Sequence, residues 1–431
     1  EKKGSEVSNM ENIHELNEQK DFSEDAAEQE HFQAVVASFF AYPIYSLREV
    51  DRVQANFGTL SASHKKLMKY DYMERVKNLK SAVMKNASFI YSVVSPHRDL
   101  FEWTKLKSGQ EVFKEIPTSI KNRSKMRSTL RSIVRDWAKE GQRERDSCYK
   151  PLIDAIIQHY PKPITEEGDR VTVLVPGCGL GRLVFEFAQK GYAAQGNEFS
   201  YFMLLSSNFI LNSTAHTEEL ELQPFIHSWS NVYDAKDPLQ KFKIPDVWPG
   251  SLPQNSDFSM VAGEFIEVYG HHTDRWWSVA TCFFLDTANN VMRYVETIWS
   301  ILKPGGVWAN FGPLLYHYAE LEGECSIDLS WEELRHVITQ MGFQITHEEF
   351  KDSLYASEPK SMMNVVYTCI FFTAVKPELT EKQGSTSTTP ESKKTGETGS
   401  QEEEEDESKR VSQSASPNGK NQENDQKEEE Q

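Results

Sequence analysis

Apolar residues recur at three- and four-residue intervals, with few Gly or Pro, over HFQAVVASFFAY (31–42), HKKLMKYDYMERVKNLKSAVMKNASFIYSVV (64–94) and SKMRSTLRSIVRDWAKEG (124–141). That period predicts helices across residues 31–160. In the last stretch Met126, Leu130, Ile133, Val134 and Trp137 form one stripe, with Arg127, Arg131 and Arg135 stacked beside it at four-residue steps. The helical block is expected to close near Pro161 and Pro163. Beyond it the pattern changes. VTVLV (171–175) reads as a buried strand, PGCGLG as a glycine turn, and LVFEFAQK as a helix with Gly191 as its C-cap. YAAQGNEFS is a strand closing on an acid, and SYFMLLSSNFILN a helix with Ser200 at its N-cap. SDFSMVAGEF and VATCFFLD have strand character, NNVMRYVETIWSIL is helical, KPGG is a turn and VWANFGP a strand. SWEELRHVITQMGF (helix) and VVYTCIFFTAV (strand) complete the series. Strand–helix alternation of this kind predicts an α/β fold, a mainly parallel sheet with helices on both faces, preceded by the helical region.

Charge adds the ends. The chain of 431 residues has net charge −18, of which residues 1–30 and 376–431 carry −7 each, leaving −4 for the body. Four segments are therefore expected: an acidic disordered N-terminus (1–30), the helical region (31–160), the α/β domain (161–375) and an acidic disordered tail (376–431). The tail has too few apolar residues to offset its conformational entropy. Its run Glu402–Glu407 reads as solubilising or as a contact for a basic partner. Five widely spaced cysteines, with no C-x-x-C, disfavour a disulfide framework and a metal site. No uncharged apolar run approaches the roughly 18 residues of a membrane span. The expectation is a soluble intracellular protein, cytoplasmic and also nuclear, compartments that both keep thiols reduced.

The candidate chemistry starts at Gly177, Gly179 and Gly181. Glycines after a strand and before a helix let the backbone turn sharply and let a ligand lie against it. A dinucleotide fingerprint would need glycine at 182, where Arg182 stands, so the spacing favours a nucleoside without a pyrophosphate. Glu198, 21 residues after Gly177, is placed to accept both ribose hydroxyls, or is a surface acid at a strand end. Glu264 and Phe265 suit an adenine held by one polar group and one apolar face, or are a solvated acid beside a core ring. Together with Leu302-Lys303-Pro304-Gly305-Gly306 before a strand, the glycine turn resembles that of class I S-adenosylmethionine (SAM) methyltransferases.

A narrower resemblance follows from VRDWAKEGQRERDSCYKP (134–151), VLVPGCGLGRLVFEFAQKGYAAQGNEFSYFML (173–204), TCFFLDTANN (281–290), IWSILKPGGVWANFGPLLYH (298–317) and SMMNVVYTCIFF (361–372). These resemble the carnosine N-methyltransferase family over about residues 31–375. The resemblance implies a Rossmann-like class I sheet and methyl transfer from SAM to an imidazole nitrogen of carnosine (β-alanyl-histidine), giving anserine. It implies cofactor contacts at Arg131, Gly177, Gly179, Gly181, Glu198, Glu264, Phe265 and Cys282, with Arg131 at the methionine end. Asp286, His317 and Tyr367 would face the dipeptide, Asp286 as the catalytic acid group. The family commonly has Asp-Phe where this chain has Glu264-Phe265. The implied partners are SAM and the dipeptide, with no metal and no membrane; a homodimer is left open.

The sulfonium methyl is already activated, so the protein has mainly to align a nucleophile. A free imidazole has a pKa of about 6.5 and is mostly neutral at physiological pH. Asp286 accepting its N–H would fix the tautomer and stabilise the charge that develops; alternatively Asp286 is a helix N-cap. His317 and Tyr367 have structural alternatives too, a satisfied histidine and a core tyrosine, and Arg131 could be on a solvated helix face. Competing readings are an RNA methyltransferase, disfavoured because Glu115, Asp136, Glu140, Glu144 and Asp146 interrupt the bases between Lys105 and Arg145, a protein-histidine methyltransferase, and a catalytically silent scaffold.

Overall fold

The computed structural model describes residues 26–68, 71–105, 111–114 and 117–378, with the backbone alone at 111 and 112. The expected acidic disordered ends therefore lie almost wholly outside the described residues. Residues 26–30, however, open a helix, α1 (26–40). It leads into α2 (Tyr42–Gly58), α3 (Ala62–Leu67) and α4 (Tyr72–Val94). The stretch read as one helix over 64–94 is broken, because Met68 is extended and the Asp71 carboxylate accepts the N–H of Met73, starting a new helix. A short antiparallel pair, β1 (Trp103–Lys105) and β2 (Glu111–Phe113), interrupts the helical region. Then come α5 (Ile120–Trp137), capped by Ser119, and α6 (Gln142–His159). The predicted α5 stripe is fully realised: Met126, Leu130, Ile133, Val134 and Trp137 are all buried.

The α/β part runs β3 (Thr172–Pro176), α7 (Arg182–Gln189), β4 (Ala193–Glu198), α8 (Tyr201–Ser213), β5 (Leu220–Leu222), β6 (Phe242–Ile244), β7 (Phe258–Ala262), α9 (Phe265–Tyr269), β8 (Trp276–Cys282), α10 (Val291–Ile301), β9 (Leu302–Gly312), α11 (Trp331–Gln340), β10 (Gln344–Ser353) and β11 (Tyr367–Val375). Seven strands form one sheet in the order β10-β11-β9-β8-β3-β4-β7. From β9 through β7 all pairs are parallel, and β11 is antiparallel to both β9 and β10. One face packs Cys148, Leu152 and Ile156 of α6 and Leu183 and Phe187 of α7 against Val173 and Val175. The other packs Val295 and Ile298 of α10 and Leu334 and Ile338 of α11 against Leu174, Val279 and Trp308. So α6, the last helix of the N-terminal region, is one of the sheet's own covering helices.

Two differences from the sequence pattern have local causes. KPGG is part of β9, which starts at Leu302 opposite Trp276. A register shift absorbs Gly305, whose φ is +78°, and its N–H donates to the Lys376 carbonyl. β10 escaped the periodicity because its residues are exposed on both faces, as a charged edge strand is. Among the described residues, no helix is long and apolar enough to cross a membrane, and no three His, Cys, Asp or Glu side chains cluster as metal ligands would.

Candidate active site

In the parallel sheet, chain order reverses between β3 and β8, and the loops leaving the carboxyl ends of neighbouring strands diverge there into a crevice. Every implied site residue except Arg131, which is on α5, and Tyr367, which begins β11, comes from such a strand end. Gly177, Gly179 and Gly181 follow β3, with φ of +62°, +56° and +80°. At Gly177 a Cβ would meet the Phe284 ring at 2.6 Å, so glycine is demanded by close approach as well as by φ. At Gly179 a Cβ would meet nothing within 4 Å. That glycine faces open space, the condition for a ligand to lie on bare backbone.

Glu198 ends β4. Its Oε2 accepts the Gly179 N–H at 2.8 Å, and its Oε1 accepts the N–H groups of Phe199 (2.9 Å) and Ser200 (2.8 Å). Ser200 sits at the N-cap of α8 as expected but makes no side-chain cap; the acid two residues earlier does that work. Three bonds on a carboxylate with about four lone-pair sites leave Oε2 able to accept a further hydroxyl. Burial pushes this carboxyl up, and the three N–H bonds oppose the rise.

Glu264 caps α9, its Oε2 accepting the N–H groups of Ile266 (2.7 Å) and Glu267 (2.9 Å). Phe265 is buried, its ring between those of Tyr269, Phe284 and Tyr294, with centroids 5.3–5.6 Å away. Cys282 closes β8, and burial raises its thiol well above the usual range. It shares a small cavity of about 50 Å³ with Arg135, Asp136, Gly177, Gly179 and Tyr355.

Asp286 lies in a single 3₁₀ turn (Leu285–Thr287) beyond β8 and is 4% exposed. It is not a cap for α10; Asn290 holds that position, accepting the N–H of Met292 at 3.1 Å. Burial lifts the Asp286 carboxyl to about 7, and backbone N–H groups of Asp286 and Leu315 offset the rise only in part. The His317 N–H donates to the Asp286 carbonyl at 2.9 Å, so the chain beyond β9 is fastened to this turn. Desolvation, then the nearby Lys125 charge, lowers the His317 pKa, which keeps its ring neutral near pH 7. Tyr367 begins β11, edge-on to Phe283 with ring centroids 6.0 Å apart. Arg131 stands on the wall of a larger cleft of about 360 Å³, its Nη2 donating to Ser228 Oγ at 3.2 Å.

Three residues were missed by the sequence reading. Phe283 has φ +52°, in the left-handed region that costs a non-glycine residue about 1–2 kcal/mol. Its N–H bonds the Phe311 carbonyl at 2.8 Å, which turns the chain from β8 into the Asp286 turn. Arg182, the residue that broke the dinucleotide spacing, is buried. It donates to Asp246 Oδ1 (2.6 Å) and to the Asp136 carbonyl (2.7 Å), while Arg145 takes Asp246 Oδ2 (2.6 Å). The third is Arg135, buried where Arg131 is only half-buried. The apolar stripe on α5 gives no signal for it, since 3.6 residues per turn set Arg135 on the side of the helix away from Leu130 and Trp137, and its burial comes from what packs on that side.

A parallel sheet ordered in this way, with one antiparallel strand inserted next to its edge, a glycine turn after the first sheet strand and an acid at the end of the second, is the class I methyltransferase fold. Among solved structures, a SAM-dependent methyltransferase from Methanosarcina mazei aligns with 52% of this chain and 97% of its own, at 15% identity and a TM-score of 0.34. That likeness is slight, and the fold assignment stands on the strand order. The chain belongs to the carnosine N-methyltransferase family, whose model matches residues 112–378. The carnosine N-methyltransferase of Rattus norvegicus is 42% identical over 82% of this chain and 88% of its own length. That of Dictyostelium discoideum is 36% identical over 81% and 77%, and that of Schizosaccharomyces pombe 34% over 80% and 95%.

Proposed function

We propose that this protein methylates an imidazole nitrogen of carnosine, giving anserine, with SAM as methyl donor. The observation that carries the reading is Asp286: a nearly enclosed carboxylate on the turn after β8, beside the glycine turn through the Phe284–Gly177 contact, in a chain of this family. The residues present fit the cofactor. Gly179 offers bare backbone facing open space, and Glu198 retains an acceptor site for a ribose hydroxyl. Bound there, SAM supplies a methyl activated by its sulfonium.

The protein's part is orientation and charge. The Asp286 carboxylate accepts the N–H of the neutral imidazole, which leaves the lone pair on the other ring nitrogen pointing at the methyl. As the new N–C bond forms, the ring becomes cationic, and Asp286 stabilises that charge in a site with little water to screen it. With a carboxyl pKa of about 7, Asp286 can take the ring N–H proton and release it to water. His317, neutral and tethered to the same turn, presents a ring nitrogen to the polar backbone or carboxylate of the dipeptide. Tyr367 closes the wall that Phe283 begins.

The test is incubation of the full chain with labelled SAM and carnosine, other histidine-containing dipeptides and tripeptides, free histidine, a histidine-containing protein fragment and RNA, with mass spectrometry locating the methyl. Label on a carnosine ring nitrogen is expected. Label on RNA or on the protein fragment in preference to carnosine refutes the reading.

A further inference from the structure

We propose that Cys148 and Cys282 form a site of reversible oxidation, a thiol pair that a hydroperoxide converts to a disulfide, reshaping the wall of the cavity beside the glycine turn. The consequence for cofactor binding rests on the SAM reading above; the oxidation itself does not.

Two elements bring the pair together. Cys148, on α6, is fully buried, and Cys282, at the end of β8, is partly exposed. The Cys282 thiol donates to the Cys148 sulfur. Cys282 also opens on the cavity of about 50 Å³, room enough for a molecule the size of water or hydrogen peroxide. On its other side Cys148 Sγ faces the buried Arg135 guanidinium, whose Nη2 stands 3.6 Å away, and its own S–H can donate to the Glu144 carbonyl at 3.0 Å. The carboxylates nearest this cation, Asp136 and Glu144, stand at 3.6 and 3.8 Å and are engaged by other donors: Tyr149 for the first, Ala356 and Ser357 for the second. Burial works against a thiolate at Cys148, but the Cys282 hydrogen bond and then the Arg135 charge outweigh it and hold this thiol below its ordinary value. Burial, and then Cys148, hold Cys282 well above. In the thiolate form the pair therefore shares one proton, and its transfer from Cys282 to Cys148 puts the charge on the sulfur that faces the cavity.

The other cysteines lack this setting. Cys178 lines the same cavity, but burial and the Glu198 and Asp136 charges hold its thiol up. Burial lifts Cys369 to about 12, and Cys325 is exposed. The chemistry is that of a two-cysteine sensor. The Cys282 thiolate attacks one peroxide oxygen; an S–O bond forms, the O–O bond breaks and hydroxide leaves, so Cys282 becomes a sulfenic acid. The Cys148 sulfur then attacks that of Cys282; the S–S bond forms, the S–O bond breaks, and the hydroxyl leaves as water with the Cys148 proton. Two electrons pass from the two sulfurs to the peroxide. A bonded S–S distance of about 2.05 Å is far shorter than a thiol–thiol contact. Closing it draws the end of β8 towards α6 and displaces Phe283, which lines the cavity with Gly177 and Gly179.

In the experiment the full chain is treated with dilute hydrogen peroxide, unfolded in an alkylating agent, and digested without reduction for mass spectrometry. A peptide pair joined through Cys148 and Cys282, and released by dithiothreitol, is expected, with Cys178, Cys325 and Cys369 alkylated. A bridge through any of those three instead, or Cys282 oxidised with no bridge, overturns the assignment. Cys148→Ala should abolish the bridge and slow the oxidation of Cys282, followed by dimedone labelling of the sulfenic acid, because the proton acceptor is gone; an unchanged rate counts against the shared proton. The mapping on the wild type decides the bridge even if Cys148→Ala does not fold. The bridged protein should lose most of its SAM binding and regain it with dithiothreitol. Bridged protein that binds SAM as tightly as reduced protein refutes the reshaped wall. Reduced protein that does not bind SAM refutes the SAM reading, and the bridge is then decided by the mapping alone.

Discussion

Asp286→Asn should make the protein more stable and far less active, and the two effects have one cause. Asp286 is 4% exposed, and its carboxyl has moved from 3.8 to about 7. That shift is about three units, equivalent to about 4 kcal/mol as an upper bound for what ionising it costs the folded state. The sign follows from proton counting. Between pH 4 and 7 the folded protein holds a proton that the unfolded chain has released, so stability falls as pH rises through this window and levels off above it. Asparagine keeps the shape and one acceptor and carries no charge. In urea unfolding of the ligand-free protein, Asp286→Asn should gain on the order of 2–4 kcal/mol over wild type at pH 8, and the gap should close towards pH 4. Methyl transfer should fall by about 10²–10⁴-fold, with SAM affinity retained. Equal stabilities at pH 8 would refute the desolvated carboxylate; equal loss of SAM binding and transfer would make Asp286 a structural residue.

Wild-type kcat/KM for carnosine should rise with pH to a plateau with an apparent pKa of about 7, set by ionisation of Asp286 together with the imidazole; Asp286→Asn should leave only the limb of the substrate. Glu198→Ala should weaken SAM binding first and also lower the melting temperature, since three backbone N–H groups lose their acceptor; unchanged SAM affinity would contradict the ribose role. Gly179→Ala should cost about 1–2 kcal/mol of stability from its left-handed φ alone and reduce SAM affinity further, whereas Gly177→Ala, driven into the Phe284 ring, should lose more stability. Denaturation should tell them apart, and equal stability losses would deny the contact. Asp246→Asn strips the shared partner from buried Arg145 and Arg182 and should cost about 3–5 kcal/mol; a loss below 1 kcal/mol in urea titration would show that the two guanidinium groups find other acceptors.

The sheet was legible because a buried parallel strand needs an unbroken β-branched run, as in VTVLV, and because a helix that covers it must repeat its apolar face, as α10 does. The edge was not. In β10, exposed on both faces, neither alternation nor an apolar run survives to be read. The break between α3 and α4 was hidden too, since the capping strength of Asp71 shows only when the helix beyond it is anchored.

The amino-acid order by itself determined the local devices of this protein: a glycine turn after a strand, acids at strand ends, and the α5 stripe. Each is set by backbone sterics or by periodicity, which act over a few residues. Only the tertiary structure decided how those devices are used. It gave the cap of α10 to Asn290 and so freed Asp286. It set Arg182 to hold the end of α5 in place of a third-turn glycine. It sank Arg135 and not Arg131 into the cavity beside Gly177. Spacing four apart makes these two arginines equivalent in sequence, and how deeply each is buried depends on what packs against each turn of the helix, which is long-range information.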